Sequence, residues 1–448
     1  MNIQDNVRST WTKELIKPAE MPVKAEVVII GGGIVGVSTA YFLAKQGIDV
    51  CLCEKGHVSG EQSGRNWGWV RVQGRDEREI PMMLKSLDIW RNLSNELGED
   101  VGYREDGCLY TAYTEKELSN YQGWVDLAKD YNIKTDFISG SELKSAAGMA
   151  SRNWVGGIIT KSDGRAEPQK ASLAIARGAQ RNGATILTNC AVRGLETSSG
   201  KVSAVVTEYG RINTSIVLCA AGAWSSLFCG SLGIKVPQLR VRGTVARTNV
   251  VDSPIKGNIF DKNLGIRKRN DGGYTVAHGS VLDHSITPST FRYAPKYLRA
   301  LWKEFNALRI SIGMDFFDEL KVPKQWKLDE ISPFESMRVL NPSPNKSVVA
   351  EIEASLGLIF PEFKDAKIIE TWAGMVETTP DVVPIICESD EVPGFFISTG
   401  FSGHGFGIGP AAGQAIARMI ENKGTTDLAP FRLKRFFDGS PIRPNSTI

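Results

Sequence analysis

The fold is decided near the start of the chain, where residues 25–54 read AEVVIIGGGIVGVSTAYFLAKQGIDVCLCE. An apolar run is followed by Gly31, Gly33 and Gly36 in G-x-G-x-x-G spacing, then by a helical pattern and a second apolar run. Glu54 closes the second run, 21 residues after Gly33. Strand, glycine triplet, helix, strand and acid in this order predict a βαβ unit that binds a dinucleotide.

Each part of this unit has a physical reason. Gly31 permits the tight turn, Gly33 lets a pyrophosphate approach the backbone, and Gly36 lets the helix pack closely on the strand. The helix directs free N–H groups and its positive dipole end at the phosphates. Glu54 is placed to accept hydrogen bonds from a ribose hydroxyl. The combination is far more specific than a lone glycine triplet.

Length and composition indicate a soluble enzyme of two or more domains rather than a nucleic-acid-binding protein. The 448 residues are too many for one simple core, and 42% hydrophobic with 23% charged residues is ordinary for globular proteins. A net charge of +3 gives no special attraction for nucleic acid. The seven cysteines show no paired spacing, and Cys51 and Cys53 fit packing on one face of a buried strand. We therefore expect a reducing, cytoplasmic location.

Two stretches bear on membrane attachment. Residues 1–20 are polar, so we expect no signal peptide. Residues 215–234 carry no charge over a length that could span a bilayer, but Gly and Ser are frequent and a strand with a glycine turn is predicted there. We therefore expect no transmembrane helix, and a peripheral membrane contact is left open.

The chain as a whole predicts an α/β protein (α+β overall) with two interleaved domains. Residues 265–268 and 274–277 flank an Asn-Asp-Gly-Gly turn that predicts a hairpin. Helices are expected at residues 81–97, 169–182, 296–311, 347–359 and 409–421, and strands at 107–112, 185–187, 202–208, 211–218 and 395–398. We expect a Rossmann-type cofactor domain from residues 25–110, 150–235 and 365–430, a substrate domain on a mainly antiparallel sheet from 111–149 and 236–364, an N-terminal extension at 1–24 and a C-terminal tail at 431–448.

Two later segments favour FAD over a nicotinamide cofactor. Residues 215–225 read SIVLCAAGAWS, a strand that turns on Gly222 behind the dinucleotide site. Residues 400–407 read GFSGHGFG, a strand-to-helix turn whose backbone N–H groups would stabilise negative charge on a reduced flavin. Residues 407–413 are similar to an NADP-binding turn, but their strand lies too far upstream and no strand with a terminal acid follows.

These segments fall in the order seen in the D-amino-acid oxidase superfamily, and the chain resembles its glycine oxidase, sarcosine oxidase and D-amino acid dehydrogenase branch over roughly residues 25–425. The motifs that carry the resemblance are residues 31–36 with Glu54, Ser63-Gly64-Arg65-Asn66, Asp163-Gly164 with Glu167-Pro168, Ala221-Gly222-Ala223-Trp224, Trp372-Ala373-Gly374 with Thr379-Pro380-Asp381, and residues 400–407. The resemblance implies a Rossmann-type FAD domain and oxidation of a C–N bond by hydride transfer to flavin N5, giving an imine that water hydrolyses.

The resemblance also implies which residues hold the cofactor. The backbone of Val192 would contact adenine, and residues 403–407 would face the flavin pyrimidine. The implied set is Gly31, Gly33, Ile34, Val35, Gly36, Glu54, Lys55, Ser63, Arg65, Asn66, Val192, Gly222, Trp224, Gly374, Gly403, His404, Gly405, Phe406 and Gly407. Relatives that attach FAD covalently use a cysteine near the last flavin segment, and Cys387 does not match that motif. We therefore expect non-covalent FAD.

An amino-acid substrate calls for an arginine that binds its carboxylate through two hydrogen bonds. The candidates are Arg65, Arg71, Arg242, Arg267 and Arg338, with Tyr274 as a hydroxyl partner, and an ion pair is the alternative for each arginine. We take Arg338, Tyr274 and His404 as the candidate catalytic residues. His404 lies inside the glycine turn, where packing is the alternative, and the four histidines have no metal-ligand spacing. Trp67 and Trp69 are expected to wall the flavin or substrate space, or to pack in a core.

One departure from the family pattern concerns the substrate. Relatives that bind α-amino acids often place an arginine just after the Trp-Ala-Gly turn, where this chain has Met375, Val376 and Glu377. An acid there would suit a cationic substrate such as a polyamine or an opine-like secondary amine. A pairing of Glu377 with a neighbouring lysine is the favoured alternative.

The expected partners are a small-molecule amine or amino acid and an electron acceptor, either oxygen or a quinone. D-amino acids, N-methyl amino acids and opine-like compounds all remain open as substrates. One alternative is an FAD-binding subunit of a multisubunit amine, opine or sarcosine oxidase or dehydrogenase. Another is an NAD(P)H-dependent flavoprotein, which would need a second nucleotide fingerprint that we do not find in the sequence.

Overall fold

The computed structural model describes residues 19–148, 153–304, 307–423 and 426–444. Most of the predicted N-terminal extension (residues 1–24) and the end of the predicted tail (residues 445–448) therefore lie outside the described residues. The expectation that the chain lacks a signal peptide falls there as well.

The secondary structure alternates short strands with helices along most of the chain. The strands are β1 (Val27–Ile30), β2 (Val50–Cys53), β3 (Trp69–Val70), β4 (Cys108–Ala112), β5 (Thr135–Ile138), β6 (Gly156–Thr160), β7 (Gly164–Arg165), β8 (Thr185–Leu187), β9 (Val192–Ser198), β10 (Lys201–Thr207), β11 (Gly210–Asn213), β12 (Ile216–Cys219), β13 (Leu239–Thr248), β14 (Asn258–Phe260), β15 (Gly265–Lys268), β16 (Tyr274–Ala277), β17 (Leu282–Ser285), β18 (Leu308–Ser311), β19 (Ile368–Thr378), β20 (Ile385–Glu388) and β21 (Phe395–Thr399). The helices are α1 (Ile34–Lys45), α2 (Gln62–Arg65), α3 (Ile80–Leu97), α4 (Glu115–Asn120), α5 (Gln122–Asp130), α6 (Gly140–Ala147), α7 (Pro168–Arg181), α8 (Ser225–Ser231), α9 (Pro288–Glu304), α10 (Met314–Lys321), α11 (Pro333–Ser336), α12 (Lys346–Ile359) and α13 (Gly405–Ile420). Short 3-10 turns cover Gly222–Trp224, Pro361–Phe363, Thr426–Phe431 and Leu433–Phe436.

A six-stranded sheet carries the dinucleotide-binding unit, with strand order β20-β21-β12-β1-β2-β8. β1 is central because all four of its residues are apolar and buried, as expected of a parallel strand covered on both faces. It pairs in parallel with β2 and β12, while β20 joins β21 antiparallel. Helix α1 contacts both α7 and α13. The α/β fold class is confirmed.

A ten-stranded mixed sheet forms the second layer. Its order is β18-β17-β13-β16-β15-β14-β4-β6-β5, with β19 paired to β13. The predicted hairpin is confirmed, since Gly265 of β15 pairs with Ala277 of β16 and Lys268 with Tyr274. The antiparallel β13–β19 pair is long, and β19 contacts α2, so this pair joins the second layer to the first.

The sheet membership of three strands differs from the predicted domain boundaries. Strands β4, β6 and β19 belong to the ten-stranded sheet, although the boundaries drawn from sequence place most of these residues in the cofactor domain. Their partners β14, β5 and β13 are distant in sequence, and short-range patterns carry no information about such pairing. We therefore propose that the substrate domain includes these three strands.

Two predicted elements have different bounds in the structure. The helix predicted at residues 296–311 is instead α9, which starts earlier because Pro288 is compatible with a first helical turn. Residues 308–311 form β18, which pairs in parallel with β17. The strand predicted at residues 211–218 is two strands, β11 in a small antiparallel sheet with β10 and β9, and β12 in the cofactor sheet.

The uncharged stretch at residues 215–234 folds as β12, a 3-10 turn and α8. Each of these elements is far too short to cross a bilayer. Among the residues that the structure describes, no helix combines the length and the apolar composition that a membrane span requires.

Candidate cofactor site

The glycine turn between β1 and α1 is closed by hydrogen bonds and by tight packing. The Gly31 N–H donates to Cys53 O at 2.9 Å, and Gly31 has φ +108°. A Cβ on Gly31 would lie 2.5 Å from Ala220 O, and one on Gly36 would lie 2.0 Å from Gly31 O. Only glycine fits at these two positions. At Gly33, by contrast, an added Cβ would meet one atom, the Ser63 hydroxyl oxygen at 3.1 Å, so this position is open toward the cavity.

Glu54 is held at the end of β2 by two backbone donors. The Gly32 and Gly56 N–H groups each donate to one of its carboxylate oxygens, both at 2.7 Å. Burial raises the pKa of Glu54, although Lys55 and the two N–H groups act to lower it. A buried carboxylate oxygen has further lone pairs, so Glu54 can still accept hydrogen bonds from a ribose hydroxyl.

The glycine turn and Glu54 line one part of a continuous cavity. The residues that line this part include Gly31, Gly33, Ile34, Val35, Glu54, Lys55 and Val192.

Residues of β19 and β21 and of the start of α13 also line the cavity. Its lining includes Met375, Glu377, Ser398, Thr399, Phe401, Gly403, Gly405 and Phe406. Helix α13 begins at Gly405, so its positive dipole end lies at the cavity. The N-termini of two helices therefore lie at the cavity, that of α1 at the glycine turn and that of α13 at Gly405.

Comparison with known proteins decides the family. The profile of the family described as FAD dependent oxidoreductase (DAO) matches residues 26–419. The chain belongs to the FAD dependent oxidoreductase family. Among solved structures, the L-amino acid deaminase from Proteus myxofaciens in complex with anthranilate is 36% identical with a TM-score of 0.91, covering 95% of this chain and 96% of that one. The L-amino acid deaminase from Proteus vulgaris is 31% identical with a TM-score of 0.90, covering 94% and 99%.

Curated relatives share less sequence. Mitochondrial sarcosine dehydrogenase of Mus musculus is 24% identical over 425 residues, which are 93% of this chain and 42% of that protein. The chain therefore spans less than half the length of this relative. Sarcosine oxidase subunit beta of Rhodobacter capsulatus is 26% identical over 441 residues, covering 97% of this chain and 94% of that protein.

The polar atoms and the open space of the cavity also fit FAD, independently of the comparisons. Three buried polar atoms of cavity-lining residues have no hydrogen-bond partner among the residues that the structure describes, namely Gln62 Oε1, Ser398 Oγ and Glu377 Oε2. A flavin ring presents an N–H donor and several acceptors, so it can satisfy such atoms. The open position at Gly33 provides room for a pyrophosphate.

Most of the predicted cofactor residues line this cavity. The exceptions are Gly36, Arg65, Gly374, His404 and Gly407. Gly36 and Gly407 lie at packing contacts instead, since the Gly407 carbonyl accepts hydrogen bonds from Trp90 Nε1 at 2.8 Å and Ser86 Oγ at 2.6 Å. The set stays a prediction for the bound state.

His404 is buried behind the glycine turn rather than in the cavity. Its Nδ1 lies 2.9 Å from Glu79 Oε2, and both side chains are almost fully buried. Burial lowers the pKa of His404, and Arg75 lowers it further, while Glu79 raises it. This geometry favours the packing alternative, in which His404 fixes the turn that carries Gly403 and Gly405.

Two of the proposed catalytic residues lie outside the cavity lining. Arg338 donates to both Glu208 oxygens at 2.5 Å and to Lys55 O at 3.0 Å, so its guanidinium serves an ion pair. Tyr274 is fully buried, and its hydroxyl donates to Ile255 O at 2.9 Å. Neither residue lines the cavity. Partners elsewhere in the chain engage both groups in the structure, and the catalytic roles of Arg338 and Tyr274 stay predictions.

The other candidate arginines separate by their partners. Arg267 pairs with Glu167 at 3.0 Å, and Arg242 with Asp283 at 3.2 Å. Arg71 pairs with no carboxylate among the described residues, and its guanidinium lies 5.4 Å from the centre of the Tyr110 ring.

Arg65 and the two neighbouring tryptophans support the loop beside the cavity. Arg65 donates from Nε to Gly60 O at 3.0 Å and from Nη1 to Ala373 O at 3.0 Å. Trp67 and Trp69 pack edge to face, with ring centres 5.2 Å apart. Trp69 is buried and Trp67 is half-buried against the core, in keeping with the core alternative.

Glu377 does not pair with a lysine in the part of the chain that the structure describes. Its Oε2 atom has no partner there, and the residue opposite it across the β13–β19 pair is Arg240. The lysine pairing predicted from sequence is therefore wrong, because strand register rather than sequence proximity decides the neighbour.

Sequence reasoning missed Glu61 and Gln62, which also line the cavity. Glu61 accepts hydrogen bonds from Lys55 Nζ at 2.7 Å, from Trp224 Nε1 at 3.0 Å and from the Leu340 N–H at 3.0 Å. It therefore ties together three segments around the cavity. Glu61 and Gln62 lie at the start of the four-residue helix α2, which is too short for a periodicity that would mark residues facing a ligand.

Proposed function

We propose that this protein is an FAD-dependent enzyme that oxidises the C–N bond of an amino acid, with L-amino acids as the first substrate class. The observation that carries the proposal is the overlay on two Proteus L-amino acid deaminases over nearly the whole of each chain. One of these relatives was solved with anthranilate, an aromatic amine that bears a carboxylate. N-methyl amino acids form the second class, favoured by the sarcosine-oxidising relatives.

The chain supplies binding and electrostatics, while bound FAD supplies the acceptor for a hydride from the substrate carbon next to nitrogen. The N-terminus of α1, with the open Gly33 position, would hold the pyrophosphate, and Glu54 would hold a ribose. The N-terminus of α13 at Gly405 would stabilise negative charge on the flavin ring. The resulting imine hydrolyses in water without further help.

The cofactor would be held without a covalent bond. Cys53 is the one cysteine that lines the cavity within the described residues, and it lies beside Glu54 at the end of β2. No cysteine of the described residues lines the end that would hold the flavin ring.

Arg71 is the candidate that would bind a substrate carboxylate. Its guanidinium donates to Gln73 O and lacks a carboxylate partner among the described residues. It lies near the Trp69 and Tyr110 rings, outside the lining of the cofactor cavity. A guanidinium that is partly desolvated by aromatic rings gains most from a two-point carboxylate contact. The guanidinium groups of Arg242, Arg267 and Arg338 already form ion pairs with carboxylates of the protein.

Anaerobic mixing with a substrate panel tests this proposal. We expect the flavin absorbance of the purified protein to bleach with some L-amino acids or N-methyl amino acids, and not with the matching amines that lack a carboxylate. Arg71→Met should raise the substrate concentration for half-maximal bleaching by about tenfold or more, because a charged hydrogen-bond partner is lost. Bleaching by no amine or amino acid would contradict C–N oxidation, and equal bleaching by the amines would contradict the role of Arg71.

The electron acceptor and a contact surface are linked in our proposal. Helix α9 buries one apolar stripe, Tyr293, Tyr297 and Ala300, and exposes another. The exposed large apolar side chains of this region are Phe291, Leu298, Leu301, Trp302, Ile310, Ile312, Met314, Phe317 and Leu320.

Helix α9 also carries four basic residues and one acid. Three of these basic side chains, Lys296, Arg299 and Lys303, donate to backbone carbonyls of the C-terminal segment. An exposed apolar stripe on a helix of net positive charge suits an anionic membrane surface, where a quinone acceptor would be available. The cytoplasmic location stays a prediction, and a partner subunit is the alternative occupant.

Vesicle flotation tests this surface. We expect the protein to float with vesicles that contain phosphatidylserine and to release at high salt, since part of the attraction is electrostatic. Leu298→Glu with Trp302→Glu should abolish flotation, whereas Tyr209→Glu, an exposed aromatic residue elsewhere, should not. Flotation of the double variant at the wild-type level would contradict the proposed contact.

A further inference from the structure

The carboxylate of Glu377 belongs to a residue that lines the cofactor cavity, and one of its oxygens is unsatisfied. The residue lines the cavity and is 7% exposed, and Oε2 accepts no hydrogen bond from the described residues. A buried carboxylate without a full set of partners is costly to ionise. Its charge state therefore depends on what else enters the cavity.

The groups that face Glu377 do not neutralise it. Arg240 lies opposite on β13, but its Nε donates to Ala223 O at 2.9 Å and its guanidinium lies over the Trp224 ring at 5.2 Å. Arg240 is thus committed to other partners. Its charge acts on Glu377 only from a distance.

The remaining neighbours contribute opposing effects. Burial raises the pKa of Glu377 to about 7, and the negative charge of Glu61 raises it as well. The backbone N–H groups of Glu377 and Phe401, together with Arg240, act to lower it. The carboxyl is therefore balanced between its two protonation states near neutral pH.

The position of Glu377 along the cavity indicates which part of the cofactor it meets. The pyrophosphate and one ribose belong at the α1 end, beside Gly33 and Glu54. Glu377 lies on β19 beside the turn that leads to Gly405, since the Ser402 N–H donates to Glu377 O at 3.0 Å. Because the flavin ring is proposed to lie at the start of α13, the ring is the part of the cofactor that Glu377 would meet.

We propose that Glu377 tunes the reduction potential of bound FAD as an ionisable group, making the flavin a weaker oxidant when the carboxyl has lost its proton. Reduction adds negative charge to the flavin. A second negative charge in the same water-poor cavity opposes that change. The inference rests on the FAD part of the proposed function and is independent of the substrate class.

The test is the midpoint potential of the holoenzyme, measured against a reference dye from pH 6 to pH 8.5 without any substrate. Relative to wild type at pH 8.5, Glu377→Gln should shift the ratio of reduced to oxidised flavin at least tenfold toward the reduced form, which is about 30 mV for a two-electron couple. The two proteins should converge at pH 6, where the wild-type carboxyl is protonated. Glu353→Gln, a change of an exposed acid on α12, should match wild type throughout.

Equal potentials for wild type and Glu377→Gln at every pH would overturn the proposal. A constant difference between pH 6 and pH 8.5 would also overturn it, because the carboxyl would then not titrate. Should Glu377→Gln lose its flavin on desalting, the wild-type profile decides instead. Its potential should fall more steeply with pH around neutrality than on either side, and a uniform slope would contradict the proposal. Wild-type protein that never binds FAD would contradict the proposed function.

Discussion

Gly33→Val is expected to give a folded protein that retains no flavin. A Cβ at this position meets only the Ser63 hydroxyl, at 3.1 Å, and the Gly33 backbone has φ −74°, which any L-residue adopts. The polypeptide therefore tolerates valine, while the added methyl groups fill the space at the N-terminus of α1 that a pyrophosphate needs. Flavin absorbance after desalting, together with the circular dichroism spectrum, measures both parts of this expectation.

Gly36→Val is the matched control for folding. Its Cβ would lie 2.0 Å from the Gly31 carbonyl oxygen, which is fixed backbone and cannot move aside. We expect this variant to be insoluble or unfolded, in contrast to Gly33→Val. Retention of flavin by soluble Gly33→Val would show that the glycine fingerprint does not bind the pyrophosphate.

Local patterns predicted the parts of the fold that depend on residues close in sequence. The β1 turn, α1 and Glu54 lie within 30 residues, and each glycine has a steric reason that a sequence can reveal. The β15–β16 hairpin was predictable for the same reason, since its turn residues set the register. The residues around the glycine turn of the cavity could therefore be predicted from the sequence.

The remaining site residues depend on contacts between residues distant in sequence, which local patterns do not reveal. Arg338 and Tyr274 were assigned to the substrate because of their residue type and region, whereas Glu208 and the Ile255 carbonyl engage them in the structure. Glu377 lies opposite Arg240 through strand register, across a long separation in sequence. Side-chain partners of this kind are set by how the two sheets meet, so the substrate end of the site could not be derived from a single sequence.

Arg267→Met is expected to destabilise the protein strongly by breaking a buried ion pair. Arg267 and Glu167 have only 1% and 6% of their side-chain surfaces exposed, and their charged atoms lie 3.0 Å apart. Glu167 also accepts the Asn270 N–H at 2.8 Å, and Arg267 donates to Thr275 Oγ1 at 2.9 Å. Removing one partner leaves a buried charge unpaired, which costs about 3–5 kcal/mol. For a chain of this length, that cost corresponds to a fall in melting temperature of roughly 3–5 °C.

Arg211→Met provides the contrast, because its pair with Glu196 is exposed, with side-chain exposures of 45% and 39%. An exposed pair contributes at most about 1 kcal/mol, so this variant should melt within about a degree of wild type. Adding Glu167→Leu to Arg267→Met should recover most of the lost stability, since the unpaired charge is then absent as well. Arg267→Met could instead melt at the same temperature as Arg211→Met or higher. That result would show that protonation or water neutralises the Glu167 carboxylate, and it would contradict the stabilising role of the buried ion pair.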